Sequence, residues 1–502
     1  MITKKIKSEI FIPLVKIIIV VIIPLQIFLF SYGCSNNKEN SSEQSIIFEN
    51  VNIIDAVEGL RANQTVIIKG NKIAIIKNAK KIRNPSNSLI IDGAGKYLIP
   101  GLWDAHVHLS YNRDIEDVMF PLFIVNGITS IRDTGGHMDL LKRLVKKSKE
   151  LNGISPRVFI AGPLIDGVPS VYDGSSRGMP NLAIGAATVE DVIRIVDSLS
   201  EEGVNQIKAY EMLSPEVFEA LLKRAKEKGL LVTGHVPLSM DVVEASNLGL
   251  RGMEHMRNLE MACSANYDSL LIDRKRMISE GADLSGSRLR SMLHSAQRQH
   301  SVESMDEQRR DYVLSQLAKN NTWQIPTLTI ATSGANRVYA RESWRNNFRY
   351  LPEPVRSQWT NNTERSSEGS ASLSSKKFGS WAYNMVKSIS DAGIKIMAGT
   401  DSPIAYLTPG FSLHEELRLL VHSGLSPMQA LEAATIRPAQ FFSLDKKMGR
   451  IKKGMLADLL LLDANPLDDI TNTQKILGVM KNGNFMDRNY LDGILMDLER
   501  GE

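Results

Sequence analysis

Cysteine is almost missing from this sequence of 502 residues, which holds only Cys34 and Cys263. If Cys34 is taken up by a lipid, no internal disulfide can form, and the fold has to rest on core packing. Cys263 has no partner at a metal-ligand spacing and reads as structural. An excess of one charge is also missing. The 60 Lys and Arg stand against 56 Asp and Glu, a formal net charge of +4, so the basic footprint of a nucleic-acid-binding protein is not there. There is no repeat of solenoid period. Low complexity is confined to a short polar stretch after residue 34 and to Ser366–Ser375. The one conspicuous apolar run, Ile17 to Phe30, is short for a membrane span.

That run follows a positive segment at Lys4, Lys5 and Lys7 and reads as a signal-peptide h-region. It ends at Gly33-Cys34 and gives way to polar residues, the pattern of a bacterial lipoprotein cleavage site with Cys34 as the lipidated residue. Ser31 and Tyr32 depart from the usual residues there, and an uncleaved anchor is the alternative. On either reading the body is exported and held at a membrane, periplasmic or at the cell surface. The expected organisation is a leader or anchor over 1–33, a tether over 34–45 and a β-sandwich part over 46–98. A barrel over 99–444, a second sandwich part over 445–486 and a tail over 487–502 follow.

The β-rich runs at residues 46–48, 65–68, 72–76 and 89–91 are separated by Gly70-Asn71 and Asp92-Gly93 turn signals. Residues 455–463 and 476–480 read the same way, so one sandwich is expected from both chain ends. Between them a helix-then-strand unit recurs. Thr188 with Asp191 offers a capping box, and Ser214-Pro215 opens the next helix. Ser239 opens a third, and a fourth near 376–391 precedes a strand at 394–399. Each following strand carries a metal-capable side chain at its C-terminal end: Lys208, His235, His255 and Asp401. Alternating α and β elements imply a parallel sheet. Only a closed barrel gathers side chains from so many strands at one mouth, so a (β/α)8 TIM barrel is expected. A helical insertion over about 257–375 carries charge runs that read as solvated faces and lie where a lid would sit. Residues 323–330 supply a strand within it.

His106-Val107-His108 ends an earlier apolar strand. Residues two apart on a strand point the same way, so both imidazoles project together, and neutral imidazole suits zinc and other borderline metals. Lys208 repels a cation as an ammonium. As an uncharged amine it can take up carbon dioxide and become an anionic carbamate.

Taken together, residues 99–108, 127–136, 206–208, 233–235, 252–255 and 398–401, with 431–435 and 449–458 in the tail, resemble the amidohydrolase superfamily. The resemblance is to its imidazolonepropionase-like and Xaa-Pro-dipeptidase-like branch, and it runs from about residue 46 to 485. It implies a binuclear centre of two divalent ions, zinc first among them, with His106, His108 and Asp401 on one and His235 and His255 on the other. Carboxylated Lys208 would bridge both. It also implies a metal-dependent hydrolase of carbon–nitrogen bonds using metal-activated water. Asp401 would accept the proton and pass it to the leaving amine. The expected substrate is a small-molecule amide, cyclic amide or dipeptide. Mononuclear deaminases of the superfamily usually carry Glu three residues after the strand-five histidine, where this chain has Leu238. Peptide-cleaving relatives often carry His-Ala-His-Gly there, where this chain has Gly234-His235-Val236-Pro237.

Tyr210, His137 and Arg257 are the candidate substrate contacts, Arg257 by offering a guanidinium to a carboxylate. Two alternatives stand beside the hydrolase: a mononuclear imidazolonepropionase-type ring opener and a non-catalytic surface binding protein. A homo-oligomer stays open.

Overall fold

The structure, a computed structural model, describes residues 44–78, 88–151, 153–176 and 178–501. The N-terminal apolar run, Cys34 and most of the tether lie outside the described residues. Among the described residues no helix is long and apolar enough to cross a membrane.

Five strands open the fold: β1 (Ser45–Asp55), β2 (Gly59–Lys69), β3 (Lys72–Asn78), β4 (Ser88–Asp92) and β5 (Tyr97–Pro100). Gly70-Asn71 makes the two-residue turn between β2 and β3, with Gly70 at a φ of 54°, as a primed hairpin turn needs. The chain then runs through β6 (Leu102–Val107), β7 (Ile128–Asp133) and β8 (Arg157–Phe159). It makes a small excursion through β9 (Leu164–Asp166), β10 (Asp173–Ser176), β11 (Met179–Asn181) and β12 (Ala183–Gly185). It returns as β13 (Gln206–Ala209), β14 (Leu231–Gly234), β15 (Gly252–Glu254) and β16 (Trp323–Ile325). The strands β6, β7 and β8 pair in parallel, as do β13 through β16. Asn205 joins the two sets, its N–H donating to Ile160 O and its Oδ1 accepting from Ile160 N, each at 2.8 Å.

Residues 394–402 fill the eighth place. They touch β16 through a parallel bridge at Gln324 and Ile396 and β6 through another at Val107 and Ser402. The expected strand here is thus a set of single bridges, and with them the (β/α)8 barrel closes.

The last strands, β17 (Leu459–Leu462), β18 (Ile476–Lys481) and β19 (Asn484–Asp487), join the first five in the order β19-β18-β17-β5-β1-β2-β3, with β4 on β1. It is one continuous sheet that curls until Phe485 on β19 meets Phe48 on β1, ring centroids 5.6 Å apart. The sandwich built from both termini therefore encloses its core with a single folded sheet. The four leucines of β17 serve both cores. Leu459 and Leu461 face the sandwich interior, while Leu460 and Leu462 join the core of the barrel. Gly127 has a φ of 76°, and a Cβ there would lie 2.2 Å from Leu460 Cδ2. Gly127→Ala is therefore expected to cost about 1–3 kcal/mol in urea unfolding, from overpacking and a disfavoured backbone together.

The capping box at Thr188 and Asp191 and the Ser214 cap form as the residues predict. The third helix opens two residues later than expected, because Asp241 accepts from the N–H groups of Val243 and Glu244 at 2.7 and 3.0 Å. The C-terminal segment is a helix, Arg488–Arg500, capped by Asp487. The insertion is largely helical, but its charges are not all on solvated faces. Arg274 is buried and donates to Gln297 Oε1 at 2.6 Å and to Asn258 Oδ1 at 2.8 Å.

Candidate metal centre

The barrel interior is plugged by charge rather than by aliphatic side chains alone. Arg132 on β7 is fully buried. Its Nη2 donates to Glu254 Oε1 at 2.8 Å and its Nη1 to Gln206 Oε1 at 3.2 Å, while its Nε reaches Ala105 O. Glu254 on β15 also accepts from Thr233 Oγ1 and from His106 Nδ1, the latter at 2.6 Å. Burial raises the pKa of such a carboxyl, but Arg132, Lys208 and His106 outweigh it and hold Glu254 well below the usual range. An ionised Glu254 can only accept, so His106 carries its proton on Nδ1.

The same argument applies to the other three histidines. His108 Nδ1 lies 3.1 Å from the carbonyl of Gly135, which can only accept. His235 Nδ1 lies 2.5 Å from Glu211 Oε1, and Glu211 is also held ionised despite burial, by Arg290 and His235. His255 Nδ1 lies 2.6 Å from Thr327 Oγ1, whose own proton goes to Pro326 O at 2.8 Å. All four rings are therefore Nδ1–H tautomers, and each leaves the lone pair on Nε2.

Those lone pairs converge. His106 Nε2 and His108 Nε2 lie 3.0 and 3.2 Å from Asp401 Oδ1. The ring of His255 is 4.7 Å from that of His106 and 5.0 Å from that of His235. Lys208 lines the same pocket with His108, His235, His255 and Asp401. His106 Nε2, His235 Nε2, Lys208 Nζ and Asp401 Oδ1 are buried without a hydrogen-bond partner among the described residues. An imidazole-carboxylate set brought this close fits a divalent cation. His106, His108 and Asp401, with ligand atoms all within 4.8 Å of one another, form the candidate metal site. Burial brings the Lys208 amine down to about 8, which raises its neutral fraction. Burial also lowers His235 to about 3.

Several carboxylates position these groups. Asp104 accepts from Thr400 Oγ1 at 2.7 Å and from the backbone of His106 and Thr400, stapling β6 to the segment that carries Asp401. Asp133 accepts from Leu109 N and Gly135 N, fixing the loop beyond His108. Glu416 accepts from Leu328 N and Thr329 N and so holds the turn at Thr327. Asp401, His255 and Thr327 have φ values of 68°, 59° and 45°. Three non-glycine residues held in the left-handed region at one site is strain the surroundings must enforce.

Of the candidate substrate contacts, Tyr210 and Arg257 line the pocket, whereas His137 stands at the start of helix Met138–Glu150, away from the lining. The sequence alone assigns no role to Arg132, Glu211, Glu254, Arg290 or Thr327. The signal available was a charged residue inside an apolar strand, as at Arg132 and Glu254.

The profile of the amidohydrolase family matches residues 97–486. An adenine deaminase of Chelativorans is 24% identical over 39% of this chain and 32% of its own length, so the chain spans about a third of that relative. A 5-methylthioadenosine/S-adenosylhomocysteine deaminase of Clostridium tetani is 23% identical over 91% of this chain and 94% of its own. Among solved structures, a Xaa-Pro dipeptidase with bound methionine superposes with a TM-score of 0.62 at 19% identity, covering 88% of this chain and all of that one.

Proposed function

Since the chain belongs to the amidohydrolase family, we propose that it is a hydrolase of carbon–nitrogen bonds that cleaves a small amide, cyclic amide or dipeptide with water at a two-ion centre. The observation that carries this reading is the convergence of His108, His235, His255, the Lys208 amine and Asp401 on one pocket, with His106 Nε2 behind them 3.0 Å from Asp401 Oδ1. His106, His108 and Asp401 would hold one divalent ion, with zinc favoured by donor type, and His235 and His255 the other. Lys208, its amine adding to carbon dioxide with loss of one proton, would bridge them as the carbamate. Bound ions of this kind supply an acidified water and a polarised carbonyl.

The chain's own side chains do the rest. Asp401 accepts a proton from the attacking water at a carboxylate oxygen and returns it to the leaving nitrogen. Leu164, Leu182, Tyr172 and Tyr210 wall the pocket and restrict bulk water. Leu238, three residues after His235, packs against Leu289 and Leu293. No carboxyl is available at that position to protonate a ring nitrogen, which supports amide cleavage over aminopurine deamination. The metal-loaded full chain should release amine from a panel of N-acyl amino acids, dipeptides, lactams and cyclic imides, and no ammonia from adenine or 5-methylthioadenosine. Ammonia from the purines without amide cleavage would reject the reading.

If the Lys208 carbamate forms, enzyme stripped of metal and reloaded in carbon-dioxide-free buffer should regain little activity until bicarbonate is added. Lys208→Ala should show no bicarbonate response. A one-ion enzyme is the second reading, favoured by the tight grouping of His106, His108 and Asp401 alone. Metal analysis near one ion per chain would support it.

A further inference from the structure

Four cationic or ring N–H groups crowd around the single carboxylate of Glu211. Its Oε1 takes His235 Nδ1 at 2.5 Å, and its Oε2 takes Arg290 Nε at 2.7 Å with His294 Nε2 at 3.4 Å. Arg257 is left 3.7 Å from Oε1, its Nε buried and without a hydrogen bond. Arg290 gives Glu211 only its Nε, and its two terminal nitrogens donate to no described residue. Both guanidiniums line the pocket that holds Lys208, His255 and Asp401. Two side chains with five donors each, sharing one acceptor in a largely enclosed site, leave positive charge and unused hydrogen bonds facing the pocket.

Neither arginine is placed by chance. Arg257 sits in a turn where His255, Met256 and Asn258 all have positive φ, and Asn258 is pinned by Arg274 Nη1 at 2.8 Å and by its own bond to Val236 O at 3.2 Å. Arg290 comes from helix Gly286–Glu303 of the insertion, and Leu289 and Leu293 on that helix are packed against Leu238. The guanidinium fork matches a carboxylate in plane and spacing, which an ammonium does not.

We propose that Arg257 and Arg290 form a clamp for an anionic group of the substrate, so that the enzyme selects amides bearing a free carboxylate and helix Gly286–Glu303 forms part of the substrate site. The proposal rests on the hydrolase reading for what the pocket does, but the clamp can be measured without turnover. The probes are 3-phenylpropanoate and its neutral partner 3-phenylpropan-1-ol, neither of which has a bond to cleave, with affinity read by calorimetry on the metal-loaded full chain and again after chelation. Charged hydrogen bonds of this kind should make the acid bind at least about tenfold tighter than the alcohol. Arg290→Met should bring the two within about threefold, and Arg290→Lys should keep part of the preference, because charge remains while the fork is lost.

Arg257→Met provides a second route to the same loss if Arg290→Met fails to fold. Equal affinities for the two probes, no binding of the acid, or a preference that survives both methionine variants would overturn the clamp. A clamp result that holds while no Asp401-dependent amide cleavage is found would reject the hydrolase reading instead.

Discussion

Asp401→Asn is expected to lower kcat by about a thousandfold, within the range that loss of a general acid–base group produces, while the protein stays folded. The substitution keeps the size and one oxygen of the side chain, but removes its charge and its capacity to take a proton. Asp401 Oδ1 lies 3.0 Å from His106 Nε2 and 3.2 Å from His108 Nε2. The amide therefore loses part of its hold on a cation, whereas the two histidines keep theirs through Glu254 and Gly135. Turnover should fall much further than metal content, so both are measured on the same preparation. A variant with near-normal turnover would remove Asp401 from the chemistry, and one that lost all metal would make it a ligand and no more.

Glu254→Gln is expected to give the largest loss of stability. Glu254 and Arg132 are buried to zero exposure and paired at 2.8 Å. Removing one partner leaves the other charged and uncompensated, which typically costs about 3–5 kcal/mol. The same change puts an amide against His106 Nδ1 in place of a carboxylate. Losing such an outer partner commonly weakens metal binding about 10–100-fold. Denaturant unfolding with metal and with chelator separates the two effects.

The pH dependence has a definite sign. The Glu254 pKa is held well below its ordinary value, so its contribution is present above the unfolded value and lost as pH falls through the folded one. In Glu254→Gln that part of the acid limb should flatten. Asp104 runs the other way. Burial raises it to about 7, so the folded state holds a proton the unfolded state has lost, and stability declines from about pH 4 to 7.

The strands that carry His106 and Lys208 and lead into His108, His235 and His255 could be read from the chain because each delivers a metal-capable residue at or just beyond its C-terminal end, at the position where a barrel collects its chemistry. The caps at Thr188 and Ser214 were legible because a side chain reaching an N–H three residues on is a local matter. Glu211, Arg290 and Thr327 were not legible in the same way. Glu211 meets Arg290 across 79 residues, and His255 meets Thr327 across 72. Nothing local in a helix carrying Arg290 distinguishes it from the solvated arginines around it. The start of the third helix went to Asp241 rather than Ser239 because two backbone donors, not composition, decide a cap.

By itself, then, the sequence determined the barrel, the sandwich built from both ends and the side chains able to meet a cation, since periodicity and strand-end placement act over a few residues. Tertiary structure alone decided the tautomer of each histidine, the strain at Asp401 and the inward turn of Arg290. Those depend on which acceptor, from a distant part of the chain, comes to lie within about 3 Å of a given nitrogen.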